Sequence, residues 1–149
     1  MADLRPFAAL RPRPKITKEL AALPYDVLST SEAEQEACNN PFSFLQVDKA
    51  EIDLPKELRK TDKVYEKAKE NFLKLVQSGD LIQEDQSCYY IYSQRWRAHE
   101  QTGLVATSAI DDYLHGVIKP HEQTRVDKQE DRRRHIEACN AQTGPAFLF

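Results

Sequence analysis

Apolar side chains recur at helical spacing most plainly between about Asp62 and Ser78. There Val64, Tyr65, Ala68, Phe72, Leu75 and Val76 fall along one side while charged residues fill the other. Gly79 stands where a left-handed cap belongs, so the pattern predicts a bounded amphipathic helix with a core-facing stripe. Upstream, Ser29-Thr-Ser-Glu32 satisfies the capping-box pattern, with Ser31 and Glu34 as a competing register. It opens a short helix that ends near Cys38-Asn39-Asn40, because Pro41 forbids continuation.

Strand-like runs are shorter. Phe42 to Val47 is apolar on both alternating faces and reads as a strand inside a sheet. Tyr89 to Trp96 is rich in aromatics, and Arg97 to Gly103 is expected to connect it to an antiparallel partner, Leu104 to Ile110. The segment from Leu4 to Val27 carries Pro6, Pro12, Pro14 and Pro24 and shows no sustained period, which predicts an extended, wrapping arm. Asp48 to Lys63 reads as a loop around Pro55, Asp111 to Leu114 as one helical turn, and about Lys128 to Asn140 as a charged helix containing Ile136 and Ala138. Ala146 to Phe149 resembles a buried strand with nothing after it to cover it, so the chain is expected to be a fragment or a shortened form of a longer protein. Together these elements predict an α+β fold: a small mixed or antiparallel sheet covered by two to three helices, with an extended proline-rich N-terminal arm.

Length and composition change this picture little. The 149 residues suit a single domain spanning 1–149, and 40% hydrophobic with 30% charged residues describes a globular chain. A formal net charge of -3 argues against generic nucleic-acid binding, which needs an excess of Lys and Arg over a whole face. No apolar run approaches the roughly 20 residues of a membrane helix. The N-terminus lacks the apolar core of a signal peptide, so a cytoplasmic location is expected. Cys38, Cys88 and Cys139 are odd in number, far apart and without a metal-ligand pattern. Each is expected to be a small buried or half-buried hydrophobe, and no metal site is predicted.

Candidate chemistry concentrates between Gly116 and His135. Lys119, Arg125, Lys128 and Arg132 to Arg134 can hold phosphate or carboxylate, His121, Glu122 and His135 can move protons near neutral pH, and Thr124 adds a hydroxyl. The alternative is a solvated loop followed by a salt-bridged helix, with Glu122 and Arg125 a surface pair and His135 on a solvated face. Tyr25 and Asp26 follow Pro24 and are held extended, either to present them to a ligand or to anchor the arm. The four glycines, at 79, 103, 116 and 144, form no phosphate-binding loop.

Arg5-Pro-Phe7, Leu23-Pro-Tyr-Asp-Val27, Asn40-Pro-Phe-Ser-Phe-Leu45, Val47-Asp48, Tyr89-Tyr-Ile-Tyr92, Gln101-Thr-Gly-Leu-Val-Ala106 and Lys119-Pro-His-Glu-Gln-Thr-Arg125, with Asp127-Lys128 and Asp131-Arg132, occur in that order. In these motifs the chain resembles the N-terminal part of the domain-of-unknown-function family 1015, almost end to end. Members of that family are usually longer, and their later half carries an Asp-Gly-His-His-Arg motif similar to the signature of the ParB-like superfamily, which includes kinases that phosphorylate free serine. This chain contains no such motif. The resemblance implies a small-molecule kinase or another nucleotide-dependent enzyme, using ATP or ADP with Mg. Lys119 and Arg125 would then neutralise phosphate, His121 or Glu122 would serve as base, Thr124 would bond a phosphate oxygen, and Asp127 would orient Arg125 or Lys128. A nucleotide- or phosphometabolite-binding module without turnover is one alternative. The other is a protein-interaction domain in which Asp131-Arg132-Arg133-Arg134 meets an acidic partner.

Overall fold

The computed structural model describes residues 2–120 and 125–146. In chain order the elements are β1 (Leu4–Arg5), β2 (Leu10–Pro12), a 3-10 turn (Pro14–Ile16), α1 (Thr17–Leu20), α2 (Thr30–Ala37), α3 (Leu45–Asp48) and two further 3-10 turns (Ala50–Asp53 and Lys56–Leu58). There follow α4 (Lys63–Gln77), β3 (Leu81–Gln83), β4 (Tyr90–Trp96), β5 (His99–Val105), β6 (Thr107–Ser108), α5 (Ile110–Leu114) and α6 (Val126–Cys139). The expected α+β class with small antiparallel sheets is present. The chain gathers into two compact units, residues 1–11 with 83–123 and residues 12–82 with 124–149.

In the first unit, β1 pairs antiparallel with β6, Leu4 opposite Ser108, and Phe7 and Cys88 exchange both backbone bonds of a bridge. β4 and β5 form a long antiparallel hairpin from Tyr90–Val105 to Trp96–His99. Its turn is only Arg97 and Ala98, with Arg97 in the left-handed region at φ 55°. The strand therefore begins at His99, not after Gly103. A left-handed position filled by Arg rather than Gly or Asn is what conceals this turn in the sequence. The Tyr90 hydroxyl donates to Phe7 O and accepts from Ala9 N, tying the hairpin base to the first residues of the chain.

The second unit is helical. The Ser29–Glu32 capping box forms as expected: Ser29 Oγ accepts from Glu32 N and the Glu32 carboxylate accepts from Ser29 N. α2 buries Ala33 and Ala37 against Leu45. α4 carries its predicted stripe inward through Ala68, Phe72 and Leu75, and Gly79 caps it at φ 73°. What α4 packs on is α3, the Ala50–Asp53 turn and α6. The arm is extended only in part, since Ile16 and Leu20 are buried within its 3-10 turn and α1.

One prediction fails instructively. Phe42 to Val47 is not a strand. Asn40 Oδ1 accepts from Phe42 N and Asn40 Nδ2 reaches Glu19 O, which turns the chain into the single helical turn α3. The last carbonyls of a helix lack intrahelical partners. Here Asn71 of α4 donates to Gln46 O at 2.7 Å and His135 of α6 bonds Val47 O at 3.0 Å, so two side chains hold one turn in place. Leu45 and Val47 are both fully buried. In so short an apolar run, periodicity cannot separate strand from helix. Of the predicted strand Ala146 to Phe149, residues 147–149 lie outside the described residues, and Ala146 is exposed coil.

The cysteines also differ from expectation, since Cys38 and Cys88 are exposed and only Cys139 is buried. Burial pushes the Cys139 thiol up to about 11, and the nearby Asp48 charge adds to this. A thiol titration of folded protein near neutral pH should therefore label Cys38 and Cys88 quickly and Cys139 only after denaturation. Truncating the buried Leu45 to Ala should cost about 2–5 kcal/mol in chemical unfolding, whereas a solvent-facing strand residue would cost far less.

Candidate functional site

α6 carries an unbroken row of functional groups. Arg125 at its N-cap, Lys128, Arg132, His135 and Cys139 recur at spacings of three or four and so share one helix face. That face runs from exposed Arg125 and Lys128, through half-buried Arg132, to His135 at 2% exposure and buried Cys139. His135 is thus a core residue and not the solvated side chain expected of a charged helix. The helix begins at Val126, two residues before its predicted start, and Asn140 ends it in the left-handed region at φ 50°.

Polar contacts seat this helix. Tyr65 of α4 donates its hydroxyl to Asp131 Oδ1 at 2.9 Å, and Arg134 pairs with Asp62 at 2.5 Å while its guanidinium lies 4.4 Å over the Tyr65 ring. Arg132 is held twice. Its Nε and Nη2 donate to Asp131 Oδ2 at 3.1 and 2.8 Å, and its guanidinium stacks 4.0 Å above the ring of Tyr25. Burial works to raise the Asp131 carboxyl, but the bonds from Arg132 and Tyr65 outweigh it and hold the group below its ordinary value. Burial, followed by the bond to Asp131, pushes the Tyr65 hydroxyl up.

Beside this lie Asp48 and Thr143, to which sequence reasoning gave no role. Asp48, at the C-terminal end of α3, accepts from the Thr143 hydroxyl at 2.8 Å. Burial raises its carboxyl above the ordinary value, against the opposing pull of the Thr143 bond and the Arg132 charge. His135 bonds Val47 O through Nε2, and a carbonyl can only accept, so Nε2 carries the ring proton. Nδ1 is buried and has no hydrogen-bond partner among the described residues. The signal was present as the pair Val47-Asp48 and the helical spacing of Arg132, His135 and Cys139, but an all-polar face gives no hydrophobic period to find.

The remaining candidates are dispersed. Arg125 is exposed and turned onto Asp127 by a two-point contact, Nε to Oδ1 at 3.1 Å and Nη2 to Oδ2 at 2.7 Å, the orienting role expected of Asp127. Lys128 is exposed in the first turn of α6, Lys119 is exposed in the other unit, and Asp26 is exposed beside half-buried Tyr25. His121, Glu122 and Thr124 lie outside the described residues. Arg133 pairs with both Glu130 and Glu137, so each member of the Arg132–Arg134 run is matched to a carboxylate of this chain. Among the described residues no group of three or more His, Cys, Asp and Glu side chains could hold a metal ion, and no helix is long and apolar enough to cross a membrane.

These features define an α+β protein whose second unit presents a cationic helix face ending on the buried His135 imidazole, with the half-buried carboxylate of Asp48 next in sequence to the Val47 carbonyl that His135 bonds. The chain belongs to the family described as Protein of unknown function (DUF1015), whose family model matches residues 4–149. Neither the curated proteins nor the solved structures contain a match.

Ionised Asp48 is a cost to the folded state, and its sign can be worked through. A carboxyl that holds its proton more tightly when folded gives the folded state extra bound protons just above the ordinary carboxylate range, so stability falls as pH rises through that window. Asp48→Asn keeps an oxygen acceptor for Thr143 and removes the charge. Its thermal midpoint at pH about 7 should equal or exceed that of wild type, with the difference gone at about pH 3. A clearly lower midpoint at neutral pH would show instead that the ionised group is a net stabiliser.

Proposed function

We propose that this chain grips the anionic end of a small phosphorylated ligand, a nucleotide or phosphometabolite, on the α6 face formed by Arg125, Lys128 and Arg132. The observation that carries this is Arg132. Its fork is pre-oriented by Asp131 and flattened on Tyr25, while the Nη1 edge has no partner among the described residues. An arginine whose rotamers are already fixed loses less entropy on meeting phosphate than a free one. Exposed Arg125 and Lys128 extend the positive charge toward the helix N-terminus, which itself favours anions.

Turnover, in this proposal, is that of a nucleotide-dependent kinase of the ParB-like type. Mg with ATP or ADP would be the cofactor, and Thr124, next in sequence to Arg125, would bond a phosphate oxygen. The protein-interaction alternative calls on the whole Arg132–Arg134 run, in which Arg133 is taken up by both Glu130 and Glu137 of the same helix.

Calorimetric titration with ADP, and with ATP plus Mg, should give saturable binding. Removing a charge-assisted bond costs about 1.5–3 kcal/mol, so Arg132→Ala should weaken affinity by roughly ten- to a hundredfold. Arg125→Ala should have a smaller effect, its side chain being solvent-exposed and held by Asp127. Absence of saturable heat for the unaltered chain with both nucleotides would overturn the binding role.

A further inference from the structure

α3 and α4 enclose a cavity of about 130 Å³ inside the second unit, and among the described residues its lining includes none from α6. Phe42, Val47 and Leu75 give it an apolar wall, with Val47 and Leu75 buried. Asn71, Lys74, Leu75 and Ser78 recur three or four apart and so turn one face of α4 toward it. The bond from Asn71 to Gln46 O draws the two helices together along this line.

The polar groups of the cavity divide into those already matched and those still open. Asn71 Nδ2 is shared between Gln46 O and Asp53 Oδ2. Asp80, 7% exposed, accepts from Ser78 Oγ at 2.5 Å through Oδ2, and its Oδ1 lies 2.8 Å from Arg13 Nη2, an ion pair without the alignment of a hydrogen bond. The charge of Asp80 is therefore balanced within the chain. Lys74 is exposed at the rim, and its ammonium has neither a hydrogen bond nor an ion pair among the described residues. The same holds for the side-chain amide of half-buried Gln46.

One unmatched positive charge beside a small apolar space selects one kind of occupant. A cation would be repelled by Lys74 and would find Asp80 already paired. A phosphate dianion carries more charge than one ammonium balances, and it has no hydrocarbon to lay on Phe42, Val47 and Leu75. A monocarboxylate with a short hydrocarbon chain suits both ends, its oxygens on Lys74 Nζ and the Gln46 amide and its chain on the apolar wall. An engineered cavity of roughly 150 Å³ holds benzene, so this one admits a ligand of about six non-hydrogen atoms or fewer. We propose that the cavity between α3 and α4 is a binding site for a small monocarboxylate, distinct from the phosphate grip on α6 and independent of it.

Butyrate is the probe, and butyramide, of the same size without the charge, is its control. In an NMR titration of the whole chain, butyrate should give saturable shifts with a dissociation constant below about 50 mM, a modest efficiency for a ligand of about six atoms. Butyramide should bind about tenfold more weakly or worse. Lys74→Met, which keeps the apolar stem and removes the charge of an exposed side chain, should weaken butyrate by about tenfold or more. An excess of ADP should leave butyrate bound, whatever ADP itself does on α6. Butyrate affinity unchanged in Lys74→Met, or butyramide binding as tightly as butyrate, would overturn the carboxylate site. Displacement of butyrate by ADP would move the anion to α6 and overturn it equally, and absence of saturable shifts up to about 50 mM would remove it altogether. The phosphate grip on α6 stands or falls separately, by its own titration with nucleotide.

Discussion

The arrangement of the second unit depends on one bond, that between His135 Nε2 and the carbonyl of Val47. α3 is a single turn, too short to be stable by itself, and its exposed carbonyls would be costly to bury unpaired. His135 meets one of them and Asn71 meets its neighbour, so the turn is defined by helices far away in the chain. Asn71 also reaches Asp53 and so fixes the 3-10 turn that follows. Leu45 and Val47 are buried as a consequence, since a turn pinned at its carbonyl end has its side chains pressed into the space between α2 and α4.

A helix held by hydrogen bonds and stacked guanidinium groups is more demanding of geometry than one held by apolar contact. Hydrophobic packing tolerates small rotations, whereas the contacts of Arg132 with Tyr25 and Asp131 and of Arg134 with Tyr65 and Asp62 are all directional. The rotation of α6 about its axis is therefore narrowly set. The same rotation decides that Arg125 and Lys128 reach solvent on the face along which His135 is buried. Structure and candidate chemistry here rest on the same few side chains, and Asp48 is where the two conflict, a carboxyl whose ionised form the fold disfavours.

What could be read from the sequence follows the same division. α4 and the capping box of α2 announce themselves because apolar periodicity and cap chemistry are local. The single turn α3 does not, because a distant histidine and asparagine decide its conformation. The hairpin was legible as two strands, but its two-residue turn was not, since Arg97 adopts a backbone that usually calls for Gly or Asn. The segment from Lys119 to Arg125 drew the eye by density of charge. The described part of the cluster instead centres on His135 and its bond to the Val47 carbonyl, 88 positions away along the chain, a proximity that no local pattern encodes.

The pairing of Leu4 and Arg5 with Ser108 and Thr107 has a consequence for how the molecule comes into being. During synthesis the first strand emerges without its partner and must wait while the intervening hundred or so residues are added. At about 5–20 residues per second that is roughly five to twenty seconds. Through that interval the locally coded helices α2 and α4 can form, but α3 still lacks the His135 contact and Leu4 and Arg5 remain an open edge, available to chaperones or to the wrong strand.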